Sequence, residues 1–232
     1  MTEPLPTLLV PGLLCSARLF ADQIPALWRF GAVTVVDHRQ DETLDGIAAR
    51  ILKGAPPRFA LCGLSMGGYI SYAILRAAPK RVVKLALLDT AARADTPEQT
   101  ERRKAQIALA QSGKFGEVVE TLLPAFIHKD RMNDEALKKT VRDMADDTGA
   151  DAFVRQLRAI MSRPDSRPDL PKITCPTTVI VGDGDALTPP KVAEEIAGLI
   201  PNSRLVVVPD CGHLSTIERP QAVTKALVEW IQ

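Results

Sequence analysis

Phe59-Ala60-Leu61-Cys62-Gly63-Leu64-Ser65-Met66-Gly67-Gly68 is the stretch on which the fold of this chain turns. Residues 59–62 are apolar and short enough for a buried strand, and residues 69–78 repeat apolar side chains at helical spacing until Pro79 stops them. Between the two lies Gly-x-Ser-x-Gly. In a strand–turn–helix setting that pattern has a physical reading. The turn is tight enough to hold the serine in a strained backbone conformation, and its flanks must be glycine because a Cβ would collide. The strain lifts Oγ above the sheet beside a helix N-terminus, where the dipole and free N–H groups favour negative charge. No Lys-Ser or Lys-Thr follows the glycines, so a Walker phosphate loop is excluded.

Working outward, further apolar runs at 7–10, 32–36, 82–88, 177–181 and 204–208 read as strands buried on both faces of a parallel sheet. Helical patterns at 43–52, opened by the N-cap type Thr43, and at 192–200 alternate with them. Alternation predicts an α/β fold with about six mostly parallel strands and helices on both faces. Residues 91–171 break it. They show no strand and four helical patterns, 97–111, 115–126, 134–144 and 150–161, then the prolines Pro164, Pro168, Pro171 and Pro176. We read 91–171 as a helical cap inserted before an acid-bearing strand, and 1–90 with 172–232 as the core. The segment is dense in charges of both signs, which predicts solvated helix faces. Its apolar positions Phe115, Phe126, Ile127 and Met161 are expected to pack cap helices more than to line a pocket.

At 232 residues with 46% apolar and 25% charged residues, the chain can bury one substantial core. A net charge of +1 gives no bulk reason for nucleic-acid or anionic-membrane binding. No apolar run reaches membrane-spanning length, and residues 1–11 lack a signal-peptide pattern, so a cytoplasmic protein is expected. Cys15, Cys62, Cys175 and Cys211 form no C-x-x-C pair and read as reduced, mostly buried thiols.

A serine hydroxyl needs a base, and the base an orienting acid. His213, in Pro209-Asp-Cys-Gly-His213 after the last strand, is the leading base, since Gly212 lets the backbone turn back over the sheet. His38 follows the second strand and is the alternative; His128 lies in the cap. Asp183 and Asp185, in the Gly-rich loop after 177–181, and Asp89, at another strand end, are the candidate acids. The chain order serine, acid, base follows.

On these residues the chain resembles the α/β-hydrolase superfamily, especially its small capped esterases, lactonases and C–C hydrolases. Gly63-Leu-Ser65-Met-Gly67-Gly68 matches the nucleophile elbow, and Val181-Gly-Asp-Gly-Asp185 the acid loop, whose second acidic position is the triad member. Cys211-Gly-His213 with Glu218-Arg-Pro220 matches the base loop and the start of the last helix. Leu9-Val-Pro11-Gly-Leu13 matches the oxyanion loop, with Pro11 where the family has histidine; Leu88-Asp-Thr-Ala-Ala-Arg93 followed by Thr96-Pro97 is similar to the cap entry of enol-lactone hydrolases. The resemblance implies Ser65, Asp185 and His213 as catalytic residues and the N–H groups of Leu13 and Met66, with Leu14 as a substitute, as oxyanion donors. It implies a small ester or lactone substrate and no cofactor or metal. Thioesterase, acyltransferase and C–C hydrolase chemistry on the same triad, or a small-molecule receptor built on this fold, are the alternatives.

Overall fold

All six apolar runs become strands of one parallel sheet. The computed structural model of the chain describes residues 4–232. Its strands β1 (Thr7–Val10), β2 (Val33–Val35), β3 (Phe59–Leu64), β4 (Val82–Leu88), β5 (Thr177–Gly182) and β6 (Ser203–Val208) lie in the order β2-β1-β3-β4-β5-β6. Every neighbouring pair is parallel. β1, β3 and β5 are buried at each residue, which requires cover on both faces. The edges β2 and β6 are partly exposed, although their sequences are as rich in valine. β3 runs two residues past its expected end because Gly63 and Leu64 pair with Leu87 and Leu88.

The helices follow from local signals joined to packing. α1 (Ile24–Leu27) is one short turn that packs against the last helix. α2 (Leu44–Gly54) is capped by the Thr43 side chain, which accepts from the Gly46 N–H, and buries Leu44, Ile47, Ala48 and Ile51 on one face. α3 (Met66–Ala77) starts three residues before the expected position, directly after Ser65. Gly67 and Gly68 are poor helix formers, and close packing overrides that propensity. Fully buried Phe20, Phe59, Leu9, Leu61 and Ile70 anchor the core, each worth about 1.5–3 kcal/mol.

Between β4 and β5 the chain inserts four helices: α4 (Pro97–Leu109), α5 (Phe115–Phe126), α6 (Glu135–Thr148) and α7 (Ala150–Met161). A Thr96–Gln99 capping box opens α4, and a wide turn holding Gly113 at φ 85° joins it to α5. Asp134 caps α6, which outruns the expected stop at Met144 and ends at Gly149, φ 79°. The Phe115 and Phe153 rings pack 5.7 Å apart inside the insertion. A short helix, Arg167–Lys172, returns the chain to β5; α8 (Pro190–Leu199), α9 (Ser215–Glu218) and α10 (Pro220–Ile231) complete it. Among the described residues no helix is long and apolar enough to cross a membrane.

The strand order reverses direction between β1 and β3. Connections leave those two strands to opposite sides, which opens a crevice at their carboxyl ends. Ser65 follows β3 there, and the Gly12–Leu14 loop follows β1.

Candidate active site

Four non-glycine residues have positive φ among the described residues: Leu14, Ser65, Asp89 and Asp210. They follow β1, β3, β4 and β6, so backbone strain gathers at the carboxyl edge of the sheet. Ser65 sits at φ 55°, ψ −114°. Its N–H donates to Leu88 O at 2.9 Å, and its carbonyl accepts from Thr90 Oγ1 at 2.7 Å and from the Gly68 N–H at 2.9 Å. A Cβ on Gly63 would overlap the Gly67 carbonyl, and one on Gly67 would overlap the Val10 carbonyl. Those two glycines let the turn close against β1 and seat Oγ at the mouth of α3.

His213 is 2% exposed and lies 2.8 Å from Ser65 Oγ through Nε2 and 2.8 Å from Asp185 Oδ2 through Nδ1. The Asp185 carboxylate also accepts from the N–H groups of Leu187 and Thr188 at 2.8 and 2.9 Å and from Thr188 Oγ1 at 2.7 Å. Burial pushes the Asp185 carboxyl up, but His213 and these donors overcome it and hold it at about 2. An ionised carboxylate only accepts, so Nδ1 of His213 carries the hydrogen and Nε2 is free to accept from Ser65 Oγ–H. His213 is held above the usual histidine range: burial lowers it, and the Asp185 charge and hydrogen bond outweigh burial. Phe126 lies nearly parallel to the imidazole at 6.1 Å.

The other candidates sit elsewhere. Asp89 is fully buried, with Oδ1 accepting from the Gly182 N–H at 3.0 Å and Oδ2 bonded to Ser215 Oγ. Burial, then the Asp185 charge, raise its carboxyl well above the usual range. Asp183 accepts from the Cys211 N–H at 3.1 Å and ties the acid loop to the base loop. His38 is buried with Nε2 3.0 Å from Gly12 O; a carbonyl only accepts, so that nitrogen is protonated. Burial lowers its affinity for a second proton. His128 packs over Gly184, and its N–H donates to buried Glu218 Oε2 at 2.9 Å. Glu218 Oε1 accepts from the Gly212 N–H at 3.0 Å, so this one carboxylate braces the base loop against the insertion.

The N–H groups of Leu13 and Met66 donate to no acceptor among the described residues; Met66 is the first residue of α3, where no intrahelical partner exists. The Leu14 N–H is different. It donates to Gln156 Oε1 of α7 at 3.2 Å and is thereby occupied. Gln156 and His38 together supply supports to the loop in which Pro11 stands for the family's histidine. Nothing in the pattern around Gln156 marks it for this role; the bond spans 142 positions.

A cavity of about 380 Å³ opens over Ser65 and His213. Leu13, Tyr69, Phe126 and Leu214 contribute apolar wall, so Phe126 faces the cavity, while Phe115 packs inside the insertion and Ile127 is buried in the core. The charges of α4 are exposed or half-buried, as expected of a solvated face, whereas Arg163 after α7 is buried. Arg102, Arg103 and Arg163 line this cavity. A larger cavity of about 550 Å³ near β2 holds Arg18 and Arg39, paired with Asp147 and Asp37, and no serine–histidine pair. Among the described residues no His, Cys, Asp and Glu cluster could hold a metal ion.

A sequence model of the alpha/beta hydrolase family matches residues 8–226. Among solved structures, a thermophilic esterase from Thermogutta terrifontis, with malate bound, is 31% identical with a TM-score of 0.89, over 98% of this chain and 89% of that one. The enol-lactonase from Burkholderia xenovorans LB400 is 28% identical with a TM-score of 0.88, over 99% and 92%. A pimeloyl-[acyl-carrier protein] methyl ester esterase from Nitrosomonas europaea is 26% identical over 78% of this chain and 74% of its own.

Proposed function

The chain belongs to the alpha/beta hydrolase family, and on that premise we propose that it is a serine hydrolase cleaving a small carboxylic ester or lactone through Ser65, His213 and Asp185. The observation that carries the reading is the unbroken run of 2.8 Å contacts from Asp185 through His213 to Ser65 Oγ. His213 Nε2 takes the proton as Oγ bonds to the carbonyl carbon. The N–H groups of Leu13 and Met66 hold the oxyanion, each such donor being worth about a hundred- to a thousandfold in rate. The protonated imidazole then gives its proton to the leaving alkoxide as the acyl–oxygen bond breaks. Water, deprotonated by His213, attacks the acyl-enzyme and regenerates Ser65. Asp185 keeps the imidazole in the required tautomer and stabilises it when charged.

The names of similar proteins, an esterase, an enol-lactonase and a methyl ester esterase, support carboxylic-ester chemistry over other uses of the same side chains. In this reading residues 91–171 act as a cap on a core of 1–90 and 172–232, and the cavity between them admits a small molecule. Four unpaired cysteines, three of them buried, fit a reducing compartment such as the cytoplasm.

Fluorophosphonate labelling read by intact mass tests the proposal, alongside turnover of p-nitrophenyl esters of increasing chain length. One adduct, absent in Ser65→Ala and in His213→Ala, is expected. Folded protein that neither labels nor turns over any ester would overturn the reading in favour of a small-molecule receptor.

A further inference from the structure

The helix over the catalytic cavity is turned the wrong way for an apolar substrate. α4 presents Gln99, Arg102, Arg103 and Gln106 to the cavity, positions i, i+3, i+4 and i+7, which form one continuous helix face. α4 is also the one helix among α4–α7 that buries no residue of its own. Ligand cavities are lined predominantly by apolar side chains with a few polar groups. Here the amide and guanidinium groups of one helix face line the cavity that also holds Ser65, with Arg102 exposed to solvent.

The charges do not cancel. Arg103 Nε lies 2.8 Å from Asp95 Oδ2 and Arg163 Nη1 lies 2.5 Å from Asp95 Oδ1, so two guanidinium groups share one carboxylate whose side chain is 2% exposed. Arg102 makes no ion pair among the described residues, and no Asp or Glu lines the cavity. Three positive charges therefore meet one negative charge at the wall. Arg163 is also pre-set: its Nε donates to Arg93 O at 2.9 Å, and its guanidinium lies 4.4 Å over the Tyr69 ring, which leaves Nη2 without an acceptor among the described residues. Nη1 of Arg103 is likewise unclaimed. A planar guanidinium already held by stacking and by a buried carboxylate suits recognition of a second carboxylate.

We propose that the substrate carries an anionic group, a carboxylate remote from the scissile bond, and that Arg102, Arg103 and Arg163 bind it while Ser65 attacks. The inference rests on the serine-hydrolase reading above and narrows its substrate class to half-esters of dicarboxylic acids and lactones bearing a free carboxylate. The arginines act as specificity residues: they select the acyl portion and orient the carbonyl toward Leu13 and Met66.

The test compares monomethyl adipate with methyl hexanoate, which match in chain length and differ in the terminal carboxylate. Methanol release gives kcat/KM for each at low ionic strength. We expect a preference of about ten- to a hundredfold for the anionic ester, the range of a charge-assisted contact. That ratio falls toward one in Arg102→Glu and shrinks at 0.5 M salt, where about 5 Å of screening length remains. Turnover of both esters without preference for the anion, or a ratio unmoved in Arg102→Glu, would overturn this inference and leave the hydrolase reading intact. If Ser65 neither labels nor turns over either ester, the hydrolase reading fails, and calorimetry on the wild-type protein decides the binding claim separately. Adipate that binds and loses at least tenfold in affinity in Arg102→Glu upholds it; no heat with adipate rejects it.

Discussion

The floor of the cavity over Ser65 and its roof are built on opposite terms. The floor consists of loops at strand ends; all four non-glycine residues with positive φ among the described residues follow such ends, and Ser65 among them lines the cavity. Leu14 and Ser65 follow strands buried at each residue, and that packing is what allows an unfavourable backbone to persist. The roof, α4–α7, reaches positive φ at Gly113 and Gly149 alone, where it costs little, and carries exposed ion pairs such as Lys139–Asp143 and Arg142–Glu120. The two meet where Gln156 accepts from Leu14 N–H and where Glu218 joins the His128 and Gly212 N–H groups.

Substitutions break or sharpen that contrast. The largest effect is expected at Asp185: Asp185→Asn lowers kcat about 10⁴-fold, because the wrong imidazole tautomer results. Asp89→Asn and Asp183→Asn stay within about threefold of wild type, well under the 1.36 kcal/mol of a tenfold change. Asp89 bonds to the Gly182 N–H and Ser215, and Asp183 to the Cys211 N–H, so neither carboxylate touches His213. Steady-state kinetics on the three variants settles the order, and a severe loss in Asp89→Asn would move the acid. In wild type His213 must be neutral to accept the serine proton. Its affinity for protons is raised, so activity falls as pH drops through a limb lying above about 6.5. In any residual activity of Asp185→Asn that limb moves to lower pH, since the raising charge is gone.

Next come the glycines. Gly67→Ala drives a methyl group into the Val10 carbonyl and should cost about 3 kcal/mol in urea unfolding. Gly116→Ala, in α5 with nothing within 4 Å of the added carbon, should instead gain about 0.5–1 kcal/mol. Equal responses would erase the distinction between floor and roof. Gln156→Leu tests the seam between them. It leaves the buried Leu14 N–H unpaired, which costs about 1–3 kcal/mol, and lowers kcat by loosening the loop that bears Leu13. Unchanged stability and rate would show that the roof gives that loop nothing. At the small end, Arg142→Gln removes an exposed pair with Glu120 and should shift unfolding by less than about 0.5 kcal/mol.

How far a residue could be read in the chain depended on whether its role is local. The serine turn was legible because glycines on both sides of a serine, directly after a short apolar run, have few other uses. The Thr43 cap and the stop at Pro79 were legible for the same reason. The start of α3 at Met66 was not, because glycine propensity argues against a helix and only the approach of β1 explains it. That Arg102 and Arg103 of α4 also line a cavity was not legible, since i, i+3, i+4 periodicity names a face without saying what it meets. Gln156 left no signal, because a lone buried glutamine among Leu and Val at helical spacing looks like any other polar interruption.

The amino-acid sequence by itself determined the parallel α/β sheet, the helical insertion after β4, the serine turn and the family, because periodicity, turn chemistry and chain order are local properties written into consecutive residues. The resemblance names Asp185 among three aspartates; only the tertiary structure decided which N–H groups beside Ser65 are already occupied and that Gln and Arg side chains of α4 line the same cavity as the serine. Those depend on distances between residues as much as 142 positions apart, and such distances are set by how sheet and helices pack, not by any pattern in the chain.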